Sequence, residues 1–209
     1  MPDDSRALSG VYAVTEPRPD LPEAVEAMVR AGVTIVQYRD KGDDTDRRHR
    51  EAEALRRICA EHGALFLVND DVGLAAAVGA DGVHLGADDP AVADARQRLG
   101  PEAWIGVSCY ADLDRARRLV AEGADYIAFG SVFPSPTKPE SGRAPLELLR
   151  QGREATGRPT VAIGGIDADN IGQVAAAGAD AAAVVSALFS APDPEGAAHR
   201  LVAEWRRSQ

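Results

Sequence analysis

Glu122-Gly123-Ala124-Asp125-Tyr126-Ile127-Ala128-Phe129-Gly130 decides the fold, because it carries the chain from the end of one element into the start of another. The glycine sits where a helix should stop, and the apolar run after Asp125 is short enough to be a buried strand. The same junction recurs as Val78-Gly79-Ala80-Asp81 and Ala177-Gly178-Ala179-Asp180, with a fainter copy at Arg30-Ala31-Gly32-Val33. Outward from these junctions, runs rich in Val, Ile and Ala fall at 10–15, 33–39, 64–69, 82–86, 104–108, 126–131, 160–165 and 181–187. Helical patterns lie between and after them, at 21–31, 44–62, 71–79, 90–99, 111–122, 145–156, 168–177 and 194–207. The longest sets Ala52, Leu55, Ile58 and Cys59 on one face against Arg47, Arg50, Glu53 and Arg57. Eight alternating strand and helix units with no linker predict a single α/β domain, a closed (β/α)8 TIM barrel of parallel strands over 10–209, after a flexible segment at 1–9. An open doubly wound sheet is the alternative. It would want a G-x-G-x-x-G turn after the first strand, where Tyr12-Ala13-Val14-Thr15-Glu16-Pro17 offers none.

Composition narrows the function. With 45% hydrophobic and 27% charged residues, the 209-residue chain reads as an ordinary soluble domain. A net charge of −10, and no basic run longer than Arg117-Arg118 or Arg206-Arg207, excludes a nucleic-acid binder. Any attraction for an anionic ligand is therefore local. Cys59 and Cys109 lack metal spacing and read as reduced thiols of a cytoplasmic protein. Residues 1–7 are unlike a signal peptide, and no apolar run approaches a membrane span.

In a barrel the site lies at the carboxyl ends of the strands. On strand two, the period of two aligns Val33 and Ile35 with Gln37, Arg39 and Lys41, so an apolar face turns cationic at the mouth. An internal ion pair with Asp40 or Asp43 is the plain alternative for that cluster. Strands three and four end in Asn69-Asp70-Asp71 and Asp88-Asp89, two acidic clusters suited to a magnesium ion shared with phosphate oxygens. Helix capping is the competing reading for Asp71 and for Asp89, which precedes Pro90. His84 reads as a packed, hydrogen-bonded side chain, and Ser108 brings a hydroxyl to the same rim. After strand six, Ser135-Pro136-Thr137-Lys138 sets two hydroxyls and an ammonium on a proline-braced loop, a cradle for phosphate. Gly164-Gly165 and Val185-Ser186 supply backbone N–H groups for a second anion site.

Taken together, Val36-Gln37-Tyr38-Arg39-Asp40-Lys41, Val68-Asn69-Asp70-Asp71, Asp81-Gly82-Val83-His84-Leu85-Gly86, Ile105-Gly106-Val107-Ser108, Ser135-Pro136-Thr137-Lys138, Ala162-Ile163-Gly164-Gly165-Ile166 and Val185-Ser186 resemble thiamine-phosphate synthase from strand one to strand eight. The resemblance implies a transferase that joins a hydroxymethylpyrimidine diphosphate to a thiazole phosphate and releases diphosphate. It implies one magnesium ion, Mg2+, held by Asp70 and Asp89. Gln37, Tyr38, Arg39, Asp40, Lys41, Asn69, Ser108 and Lys138 match positions for the pyrimidine diphosphate. Ser135, Pro136, Thr137, Gly165, Val185 and Ser186 match those for the thiazole phosphate. Catalysis would be leaving-group stabilisation by Arg39, Lys41 and Lys138 in a dissociative substitution without a general base. Ala87, Ser135 and Tyr110 depart from residues the family often carries. The sister thiazole tautomerases share the barrel but use a histidine where Tyr110 stands, and a non-catalytic barrel that binds a phosphorylated metabolite is the rival from another class. The expected partners are two phosphorylated small molecules, with neither nucleic acid nor membrane. The sequence leaves oligomeric state open, a homo-oligomer included.

Overall fold

The computed structural model describes residues 8–134 and 143–209. Eight parallel strands close into a barrel in chain order: β1 (Gly10–Val14), β2 (Ile35–Tyr38), β3 (Leu65–Asn69), β4 (Gly82–Leu85), β5 (Trp104–Tyr110), β6 (Tyr126–Gly130), β7 (Thr160–Ile163) and β8 (Ala181–Val184). The helices around it are α1 (Leu21–Arg30), α2 (Thr45–His62), α3 (Val72–Val78), α4 (Val92–Leu99), α5 (Leu113–Ala121), α6 (Glu147–Thr156), α7 (Ile171–Ala176), a four-residue α8 (Ser186–Phe189) and α9 (Pro194–Arg207). The closed barrel prevails over the open sheet because β8 pairs with β1, Gly10 opposite Ala181. Short α8 is absent from the sequence reading. Its four residues continue an apolar strand pattern and carry no period of their own.

Alternation along each strand divides the core in two. Val11, Ala13, Val36, Tyr38, Phe66, Val83, Ile105 and Phe129 face outward to the helices, where they join Leu55, Ile58, Leu149 and Leu201. Tyr12, Val14, Ile35, Leu65, Leu67, Tyr126, Ala128 and Ala183 fill the barrel. Two expectations need correction here. Val33 belongs to the outer layer while Ile35 lies inside, because strand pairing begins only at Ile35 and the period of two does not extend back to Val33. The proposed flexible segment stops short of residue 9: Leu8 is buried inside the barrel's lower end, and Ser9 O accepts a hydrogen bond from Thr34 Oγ1. Residues 1–7 lie outside the described residues.

The repeated Gly-Ala-Asp junctions have a common physical task at that lower end. Asp81, Asp125 and Asp180 each accept, through Oδ2, the backbone N–H of a neighbouring strand, from Phe66, Ile105 and Thr160 at 2.8 Å in every case. Each carboxylate also meets an arginine from the helix that leads into that neighbouring strand: Arg56 on α2, Arg96 on α4 and Arg153 on α6. The junction glycines Gly79, Gly123 and Gly178 all have positive φ.

Candidate active site

The upper end of the barrel holds a cavity of about 450 Å³, floored by inward residues of several strands and walled by the loops that follow them. Tyr12, Gln37, Asn69, His84, Ser108 and Ala128 form its strand-borne part, and Gly164, Gly165, Val185 and Ser186 its far wall. Beside it, and sharing Asn69, lies an open pocket lined by Lys41, Arg48, Asp70, Asp71 and Arg98.

Strand β2 supplies the cationic side. Gln37 is buried, and Arg39 lines the cavity with its backbone N–H held by Thr15 Oγ1 at 2.8 Å. Among the described residues the Arg39 guanidinium has no hydrogen-bonded or ionic partner, which leaves it available to an anion. Lys41 Nζ stands 3.5 Å from Asp70 Oδ2. Tyr38 departs from the expectation, whereas Asp40 lines the open pocket beside Lys41 with its carboxylate already engaged. The Tyr38 side chain faces α2, where its hydroxyl donates to Glu51 at 2.7 Å, so alternation turns it away from the cavity. The Asp40 carboxylate pairs with Arg47 at 2.6 Å and accepts the Gly42 N–H, which ties it to the turn into α2. The internal ion pair considered for Arg39 and Lys41 does not form among the described residues: Asp40 pairs with Arg47 of α2 instead, and Lys41 with Asp70.

Strands β3 and β4 supply the acidic side. Asp71 caps α3, accepting from Leu74 N at 2.8 Å, and pairs with Arg48. Asp89 caps nothing: α4 begins at Val92 with Ala91 before it, and the Asp89 carboxylate instead accepts the Gly86 N–H. Asp70 adopts a left-handed backbone, φ 62, and its carboxyl group meets that of Asp89. Burial first, and the facing Asp89 next, raise the Asp70 pKa to about 6, against the opposing pull of Lys41. Two half-buried carboxylates pressed together fit a hard divalent cation. No group of three or more His, Cys, Asp or Glu converges among the described residues, so a cation there would draw its other oxygens from ligand and water.

The far wall is built by close approach. Phe133 N donates to Gly164 O at 3.0 Å, and a methyl group on Gly165 would strike Pro134 O, so the glycines let the β6 and β7 loops meet. Gly164 and Gly165 have φ 101 and 65. Asn170 Nδ2 holds Gly165 O at 2.8 Å, a support the sequence reading missed because the pair is set by a turn. Val185 and Ser186 line the same wall, while Ser135, Pro136, Thr137 and Lys138 lie outside the described residues. Tyr12, Tyr126 and Glu16 also escaped that reading. Polar groups on the inward face of β1 and β6 were the available signal.

A family model described as thiamine monophosphate synthase matches residues 11–188. The chain belongs to the thiamine monophosphate synthase family. Within it, the chain is 77% identical to the thiamine-phosphate synthase of Halorhodospira halophila, over 97% of each chain, and 54% identical to that of Thioalkalivibrio sulfidiphilus, over 97% and 98%. A thiamine phosphate pyrophosphorylase structure from Pyrococcus furiosus superposes with a TM-score of 0.88 at 36% identity, covering 97% of this chain and 98% of that one. With thiamine monophosphate synthase membership come the coarse features of function, an enzyme and transferase of thiamine biosynthesis acting on small molecules. None of the helices among the described residues is long and apolar enough to cross a membrane.

Proposed function

We propose that this chain joins 4-amino-2-methyl-5-(diphosphooxymethyl)pyrimidine to a thiazole phosphate, giving thiamine phosphate and diphosphate. The observation that carries this reading is the Asp70–Asp89 carboxylate pair, with Lys41 beside it and the Arg39 guanidinium lining the adjoining cavity. A diphosphate at that junction meets cations on one side, while the ring attached to it enters the enclosed floor formed by Gln37, Asn69 and Ser108. The thiazole phosphate takes the far wall, at the Gly165 and Ser186 backbone. Tyr110, which stands where the tautomerases carry a histidine, disfavours the sister activity.

Magnesium bound at Asp70 and Asp89 would neutralise charge on the departing diphosphate. Arg39 and Lys41 hold the same diphosphate oxygens and gain interaction energy as negative charge develops there. Lys138 joins them on the strength of the family resemblance. The C–O bond to the diphosphate breaks first, with both electrons leaving on oxygen. The thiazole nitrogen then attacks the exposed methylene carbon. Gln37 and Ser108 hold the pyrimidine against the far-wall ligand, so alignment takes the place of a general base. In solution, the purified protein given both substrates and magnesium should release one diphosphate per thiamine phosphate. Binding of each substrate with no product would overturn the reading.

A further inference from the structure

Beneath the ligand-facing groups, five side chains from five strands form one line of hydrogen bonds. Gln37 Nε2 donates to Tyr12 OH at 2.6 Å, and Tyr12 OH lies 3.1 Å from Tyr126 OH. Tyr126 OH is 2.9 Å from His84 Nδ1, and His84 Nε2 is 3.0 Å from Ser108 Oγ. The two ends, Gln37 and Ser108, have been placed against the pyrimidine. The three middle groups have had no part in the reaction.

Counting protons gives the line a direction. Tyr12 and Tyr126 are 1% and 0% exposed, so each phenol depends on protein groups for its hydrogen bonds. The Tyr12 oxygen already receives the Gln37 N–H, and among the described residues its own proton has the Tyr126 oxygen as acceptor. The Tyr126 proton then goes to His84 Nδ1. Run the other way, with His84 Nδ1–H donating to Tyr126 and Tyr126 to Tyr12, the line would leave the Tyr12 proton with no protein acceptor among the described residues. Burial keeps both phenols protonated, well above their ordinary range, so each has one proton to give. His84 is then the neutral Nε2–H tautomer and donates to Ser108 Oγ, which turns the serine's own proton to the cavity.

We propose that His84, Tyr126 and Tyr12 are positioning residues, a directed hydrogen-bond line that fixes Ser108 as a donor to the ligand and pins the Gln37 amide by its nitrogen. The complement is a ring edge with an acceptor opposite Ser108 and an N–H opposite the Gln37 oxygen, as an aminopyrimidine offers. That ligand identity rests on the proposed function, whereas the direction of the line does not.

The test begins with 15N-histidine NMR of the free wild-type protein at neutral pH, the His84 signals identified by their loss in His84→Asn. The Nε2–H tautomer is expected, and an Nδ1–H tautomer or an imidazolium would overturn the proposal. Tyr126→Phe should bring in the Nδ1–H form and lower kcat about tenfold, the scale of one well-placed hydrogen bond, with KM for the thiazole phosphate within twofold. Tyr12→Phe should keep the wild-type tautomer yet raise KM for the pyrimidine diphosphate several-fold, because only the Gln37 anchor is lost. Kinetics within twofold of wild type in both variants would also sink the idea. Should Tyr126→Phe fail to fold, the wild-type tautomer and Tyr12→Phe decide. A wild type with the expected tautomer that binds the pyrimidine diphosphate but makes no product would refute the proposed reaction and leave the line's direction supported.

Discussion

Gly106 shows how much of the site hangs on one absent methyl group. Its place on the inward face of β5 leaves room for the Tyr126 ring, into which an added Cβ would drive directly. Gly106→Ala should therefore displace Tyr126, cost about 1–3 kcal/mol of stability as overpacked cores do, and lower activity by breaking the line to His84. Denaturant unfolding beside an activity assay checks both, and an unchanged midpoint would show the ring has room to move. At the acidic rim the decisive residues are Asp70 and Asp89. Replacing either by asparagine keeps a side chain able to accept the Gly86 N–H or a neighbouring donor, but removes the charge that would hold a cation. Asp70→Asn and Asp89→Asn should raise the magnesium concentration needed for half-maximal activity while leaving thermal stability nearly unchanged. Since both would serve one ion, the double variant should lose less than the product of the single losses. An unshifted magnesium dependence in Asp89→Asn would remove that residue from the metal site.

Between elements, the aspartates of the three Gly-Ala-Asp junctions act as staples. Each ties the start of one strand to the backbone of the preceding strand and to an arginine of a helix, at β4, β6 and β8. In the fainter copy the position is Thr34, which donates to Ser9 O and has no carboxylate to offer a strand N–H. The staples stand at the opposite end of the barrel from the cavity. Asp125→Ala would leave the Ile105 N–H and the Arg96 guanidinium without their carboxylate, for a loss of about 1–3 kcal/mol. Substrate KM values should stay put, since no staple touches the rim. A variant that loses KM but not stability would show the two ends to be coupled.

At the scale of the molecule, closure of β8 on β1 makes the inner layer continuous, and the outer apolar layer runs through every large helix. Neither layer offers a seam at which part of the barrel could melt alone. The two tryptophans sample both: Trp104 packs at the inner layer and Trp205 in the outer one, on α9. Unfolding followed by tryptophan fluorescence and by far-ultraviolet circular dichroism should give coincident transitions. Separate midpoints would mean that the layers come apart in stages.

By itself, the sequence determined the barrel and most of its rim. Glycine-ended helices and buried apolar strands are local events, written in neighbouring residues, and eight of each leave few ways to close a parallel sheet. Gln37 and Arg39 were legible for a related reason, since polar groups on the inward face of a buried strand are costly unless something meets them, and Asp70 stood out as part of an acidic cluster; Asn69 and Ser108 took their role from the family resemblance. Tertiary structure alone decided what depends on pairing between distant segments. It turned Tyr38 to α2 and gave Asp40 to Arg47, because strand alternation and helix contact, not residue type, choose the face. It freed Asp89 from capping and set it against Asp70, whose left-handed backbone no pattern announces. Tyr12, Tyr126 and His84 lie up to 114 positions apart in the chain, and their hydrogen bonds exist only once the barrel has closed around them.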